Sequence, residues 1–179
     1  GREVLMTHYK LIRHALCLLL LSLASGCSIT GSIADGLNQG VHNQRDPQLV
    51  AEALPTYILM VDGLLARDPQ SETLLLAGSQ LYGAYGGNFV DDPKRAKLHT
   101  GIAKTYAQKA FCSELKDLCA AEKQGANDFK AALQKFDDED EVKWIYGYAT
   151  AMAGWIQTHS GDFNAIAALP NVNAMLERV

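Results

Sequence analysis

Apolar residues recur at intervals of three and four through most of this chain, and the same dipeptide interrupts the pattern at three places. Asp46-Pro47, Asp68-Pro69 and Asp92-Pro93 lie 22 and 24 residues apart. An aspartate side chain accepts hydrogen bonds from the free amides at a helix start, and proline suits the first helical position. Each interval therefore fits one helix and a turn. The first predicted helix starts at Pro47 and carries Leu49, Val50, Ala53, Leu54, Tyr57, Ile58, Met60, Val61, Leu64 and Leu65. Pro55 inside it removes an amide, which predicts a kink or a restart. The second spans roughly 70–89, with Leu74, Leu75, Leu76, Leu81, Tyr82 and Tyr85. The third begins at Pro93. Its basic stripe (Lys94, Arg95, Lys97, Lys104, Lys109) backs a face of Ala103, Tyr106, Ala107 and Ala110. A short helix is expected over 126–136. Five acids at 137–141 lead into a helix over about 141–157, since acidic residues favour a helix N-terminus. That helix holds Trp144, Ile145, Tyr148, Met152, Trp155 and Ile156, and a last short pair is split by Pro170. No strand-like alternation appears. The predicted fold is all-α, an array of antiparallel helical hairpins over 35–179. A hairpin of this spacing resembles the tetratricopeptide type in a right-handed array, although the standard repeat is shorter, about 34 residues.

The N-terminal region has a different pattern. His8, Lys10, Arg13 and His14 give a basic start, residues 15–24 are almost wholly apolar, and Leu23-Ala24-Ser25-Gly26-Cys27 follows. Charge, a short apolar stretch and small residues before a cut are the parts of a secretory signal. The apolar run is ten residues, against roughly 20 for a membrane-spanning helix. The cysteine at the cut points to a bacterial lipoprotein: residues 1–26 a signal peptide, Cys27 the lipidated residue, 27–34 a tether. Several acyl chains together anchor a protein stably. Met6 reads as the natural start, with residues 1–5 extraneous. Ser28 after the cysteine favours, by resemblance to enterobacterial lipoproteins, the periplasmic face of the outer membrane of a Gram-negative cell.

Charge narrows the partners. The chain has 16 basic and 20 acidic residues. Removing the signal takes away Arg2, Lys10, Arg13 and Glu3, leaving 13 basic against 19 acidic. A mildly acidic domain is a poor match for nucleic acid or anionic lipid. Beyond Cys17 and Cys27, Cys112 and Cys119 remain, seven residues apart. On one straight helix their α-carbons would stand about 10 Å apart, too far for a disulfide. Either they are two buried free thiols, or a helix ends between them and they bridge. The short polar stretch 113–117 and an oxidising compartment favour the bridge.

Little in the chain suggests catalysis. His42, His99 and His159 are scattered, with no Cys/His metal spacing, and the 137–141 acids lack the layout of a calcium loop. No nucleophile elbow, phosphate-binding loop or zinc-protease motif is present. Ser79, Ser160 and His159 form no recognisable triad. No enzyme activity, metal or cofactor is expected. The aromatic residues say more. Tyr82 and Tyr85 share one helix face, and Trp144, Tyr148 and Trp155 form a stripe on another. Gly83, Gly86, Gly87, Ala149, Ala153 and Gly154 beside them fit close helix packing. They also fit an apolar groove lined by both stripes, of the kind that holds helices or elongated ligands.

Several separated blocks carry a family resemblance. They include 46–57 continuing to Val61-Asp62-Gly63-Leu64, then Leu81-Tyr82-Gly83-Ala84-Tyr85, Phe89-Val90-Asp91-Asp92 and Arg95-Ala96-Lys97. Ala110-Phe111-Cys112, Ala153-Gly154-Trp155-Ile156 and Leu169-Pro170 follow in order. The chain resembles the T component of tripartite ATP-independent periplasmic (TRAP) transporters over nearly all of 35–179. The resemblance implies a lipid-anchored, tetratricopeptide-like protein working beside a soluble periplasmic substrate-binding component. It also implies a homotrimer with an apolar cleft or pore. No catalytic residues come with it. Family members usually carry further helices where this sequence stops at Glu177-Arg178-Val179. A shortened array predicts an apolar face left open at that end, because such arrays need a capping unit, and leaves the trimer and pore unsupported. The expected role is a non-catalytic component of a TRAP-type uptake system that binds its partner, an apolar ligand, or both. The alternatives are an envelope-assembly scaffold lipoprotein and a stand-alone carrier of hydrophobic ligands.

Overall fold

The computed structural model describes residues 43–179. The expected signal peptide, Cys27 and the tether lie outside the described residues. Those that are described form helices joined by short turns, with no strand among them.

Helix α1, Pro47–Leu65, starts where the dipeptide pattern places it. Asp46 Oδ1 accepts from the amides of Gln48 at 3.0 Å and Leu49 at 3.3 Å. Contrary to the expected restart, α1 runs unbroken through Pro55. The missing amide costs Ala51 its usual helical donor. It does not affect the buried face formed by Leu54, Ile58, Val61 and Leu65. The second dipeptide behaves differently. The Asp68 amide bonds to the Leu64 carbonyl at 3.0 Å, closing the end of α1. Helix α2, Glu72–Asn88, is capped instead by Ser71, whose Oγ meets the Leu74 amide at 3.5 Å. Asp68-Pro69 is thus a turn and not a helix start. Helix α3, Pro93–Glu114, begins as expected, with the Lys94 amide bonded to Asp92 at 2.9 Å.

Small residues bring α2 and α3 together. The buried stripe of α3 is Ala96, Thr100, Ala103, Ala107, Ala110 and Phe111, spaced for one helix face. Opposite it, a Cβ on Gly86 would stand 2.7 Å from His99 Cβ and 3.2 Å from the Thr100 nitrogen. Further along, Ser113 donates to Glu72 at 2.7 Å. The pairings 86/99 and 72/113 run in opposite directions, so the two helices are antiparallel.

The chain turns sharply at Leu115. Helix α4, Lys116–Gln124, follows at once, and Cys112 and Cys119 form a disulfide across the corner, with α-carbons 5.0 Å apart. Gly125, at φ 139°, links α4 to α5, Ala126–Lys135. That backbone conformation favours glycine. Helix α6, Val142–Thr158, packs on α3 and buries Trp144, Ile145, Tyr148, Ala149, Met152 and Ile156. Two short helices follow, α7 (Phe163–Ala167) and α8 (Leu169–Leu176). Pro170 sits in the first turn of α8 rather than between two helices. Arg178 then donates to the Phe136 carbonyl. The main core draws residues from all of these helices, around Phe111, Phe129, Leu133, Ile145, Tyr148 and Met175.

Candidate functional site

The five aromatic residues of the expected groove divide into separate environments. Tyr82 and Tyr85 project from α2 toward α3. The Tyr82 and His99 rings stack at 5.6 Å, and Tyr85 meets His99 edge-on at 5.1 Å. Tyr148 and Trp155 lie on α6 with residues of α3 and α4. Trp144 is buried in the core, 6% exposed, with its indole N–H unpartnered. No ring contact or hydrogen bond joins the α2 pair to the α6 trio among the described residues. Tyr82 and Tyr148 are buried as well, and only Tyr85 and Trp155 are half-exposed.

Around the first pair lies a carboxylate that sequence reasoning passed over. Asp62 of α1 accepts the Tyr82 hydroxyl on Oδ2 at 2.6 Å and the Tyr106 hydroxyl on Oδ1 at 3.0 Å. Three helices therefore converge on one acid. Tyr106 reaches it because Gly78 leaves room, as a Cβ there would come within 2.9 Å of the Tyr106 ring. Burial, and then the hydrogen bond to and charge of Asp62, raise the Tyr82 and Tyr106 phenols above their ordinary values. Both remain protonated donors at neutral pH. An open depression of about 260 Å³ adjoins this acid, lined also by Leu65, Ala66, Pro69, Leu75 and Lys109. The sequence did hold a signal: Asp62 is the one charged residue in the apolar run from Ile58 to Leu65.

Around the second pair lies a part-buried polar cluster. Tyr148 donates to Glu122 Oε1 at 2.8 Å and accepts from Gln108 Nε2 at 3.0 Å. Lys104 Nζ stands 3.7 Å from the centre of the Trp155 ring, a cation–π contact. Lys104 and Gln108, four apart on α3, share a face, whereas Glu122 comes from α4 across the disulfide corner. Burial raises the Glu122 carboxyl, opposed by the Tyr148 hydrogen bond and the Lys104 charge. Burial lowers the Lys104 ammonium. A Glu–Tyr–Gln chain under a lysine orients and holds charge. It contains no serine, cysteine or histidine to serve as an activated nucleophile or its base.

His159 bonds locally, to the Trp155 carbonyl at 2.8 Å and to Thr158 at 3.1 Å, so it pairs with neither Ser79 nor Ser160. Among the described residues no group of acids, histidines and cysteines could hold a metal ion.

Among the described residues the fold is all-helical, with two part-buried polar clusters, one around Asp62 and one around Tyr148. The sequence model of the TRAP transporter T-component family matches residues 43–179. The chain belongs to that family. No curated protein and no solved structure matches it.

Proposed function

We propose that this chain is the lipid-anchored T component of a TRAP-type uptake system, holding the soluble substrate-binding component by direct contact. In this reading Cys27 carries the lipid and the domain sits at the periplasmic face of the outer membrane. The support is the basic start, the short apolar run and the small residues before Cys27. The consecutive antiparallel packing of α1, α2 and α3 supports a tetratricopeptide-like array, and family membership supports association with the transporter system. The role is non-catalytic.

The observation that carries the contact is the outer face of α1. The helix buries Leu54, Ile58, Val61 and Leu65, yet leaves Leu59 71% exposed and Leu49 50% exposed, with Met60 and Leu64 beside them. Its mean hydropathy is 1.3, and only 22% of its apolar stretch is buried. Exposed Gln48, Glu52 and Thr56 give the first half of the helix a polar side, and the uncovered Leu59, Met60 and Leu64 form an apolar patch of the kind that marks a contact surface. By length and composition α1 could cross a membrane, but Asp46 caps its start and Asp62 ties it to α2 and α3, as in a soluble domain. The buried Trp144 and Tyr148 are unavailable to line a groove, which favours a protein partner over an elongated apolar ligand.

The test is capture, by this chain in detergent extract, of the soluble substrate-binding component of a TRAP system from the same cell. The Leu59→Glu/Met60→Glu variant should lose capture while melting as the parent does. Undiminished capture by that variant, or none by the parent above a non-lipidated control, removes the reading.

A further inference from the structure

The depression beside Asp62 is lined by two charged side chains of opposite sign, Asp62 and Lys109, and by apolar residues. Asp62 is half-buried and held by two phenols, one on each oxygen. Each carboxylate oxygen has two acceptor sites, so one remains on each. No cation pairs with this acid among the described residues. Lys109 lines the same depression and is exposed, yet no ion pair joins it to Asp62. Leu65 and Leu75, both buried, and Pro69 supply the apolar wall, and Tyr106 closes the side next to the acid. A carboxylate fixed at both oxygens cannot swing toward the lysine without losing a phenol. The two charges therefore stay unpaired, and both border a space of about 260 Å³. That is smaller than the roughly 300–1,000 Å³ of drug-sized sites.

We propose that this depression binds a small zwitterion of amino-acid type, with its ammonium on Asp62, its carboxylate on Lys109 and a short apolar side chain against Leu65, Pro69 and Leu75. The chemistry follows from the walls. A simple amine would satisfy Asp62 and leave Lys109 unused, and a simple acid would do the reverse. A molecule carrying both charges a few bonds apart pairs with each. The two phenols pre-orient the acid, so little ordering is needed on binding.

Isothermal titration of the full chain with L-leucine tests this, with 4-methylpentanoate and isoamylamine as probes that each lack one charge. Leucine should bind saturably, and each single-charge analogue at least ~10-fold more weakly, a loss of about 1.4 kcal/mol. Asp62→Asn should abolish binding. Because that change also disturbs the phenol contacts, Lys109→Met is the second variant. It alters an exposed side chain, should leave the melting temperature unchanged, and should weaken leucine at least ~10-fold. No saturable leucine binding to the parent, equal binding of the two analogues and leucine, or leucine binding unchanged by Lys109→Met would each overturn the proposal.

Discussion

Gly86 and His99 face each other where α2 and α3 pack tightly: a Cβ on the glycine would lie 2.7 Å from the histidine Cβ. The next neighbours are backbone, the Thr100 nitrogen at 3.2 Å and the Ala96 oxygen at 3.3 Å, so no flexible side chain can move aside. Replacing a helical glycine by alanine ordinarily stabilises by up to ~1 kcal/mol. Here overpacking reverses the sign. Gly86→Ala should destabilise by about 1–3 kcal/mol, seen as a lower urea midpoint. Gly101, in the middle of α3, is the control, because a Cβ added there would meet nothing within 4 Å. Gly101→Ala should stabilise by about 0.5–1 kcal/mol.

Tyr148→Phe separates packing from polarity. The ring still meets Phe111, at 4.9 Å between centroids. The hydroxyl does not survive, and Glu122 and Gln108 each lose one hydrogen bond. A part-buried group left unsatisfied costs about 1–3 kcal/mol. Exposed Tyr146 offers the comparison, and Tyr146→Phe should stay within about 0.5 kcal/mol of the parent. Chemical denaturation of both variants under one set of conditions checks the difference.

Glu122 should leave a signature in the pH dependence of stability. Burial raises its folded-state value above the ordinary 4.5, so between those two values the folded chain holds a proton that the unfolded chain has lost. Its contribution is therefore fully present below pH 4.5 and is lost as pH rises through the folded value. The stability difference between the parent and Glu122→Gln should fall with rising pH across that interval. Paired urea titrations from about pH 4 to 8 measure it. A difference that is flat or rises with pH contradicts the assignment.

The disulfide at the α3–α4 corner closes a loop of sequence separation seven. Loop-closure entropy puts its stabilisation at about 2–3 kcal/mol. Cys112→Ser/Cys119→Ser should lose that amount. Reductant should destabilise the parent comparably and leave the double variant unchanged, as thermal melts with and without dithiothreitol would show.

The parts of the fold that local chemistry decides were legible in the sequence. Asp46 and Asp92 announce their helices because a cap and its amides lie within three residues of each other. The α6 stripe is readable because burial on one face imposes spacing. Asp68-Pro69 misled because Ser71 lies three residues on and is an equally good cap, while Asp68 completes the preceding turn. Pro55 misled because a long helix held by four buried residues tolerates one missing amide. The candidate site was less legible. The spacing of Tyr82 and Tyr85 shows that they share a face, but not that Asp62, 20 residues back, accepts from Tyr82. Glu122 meets Tyr148 only because the chain folds at Leu115, and no local pattern marks which acid a buried phenol will find. The groove expectation treated aromatic stripes as surfaces. Tyr148 and Trp144 instead fill the interior, as large rings usually do.

The chain carries two tryptophans, Trp144 and Trp155, and both belong to α6. One is enclosed in the core and the other lies half-open beneath Lys104. Tryptophan emission, excited beyond the tyrosine absorbance, therefore reports on a single helix. Quenching or a spectral shift would signal a disturbance along α6 or at the Lys104 contact, while an event confined to Asp62 would leave the emission unchanged. The molecule thus carries a native optical sensor that distinguishes between its two polar clusters.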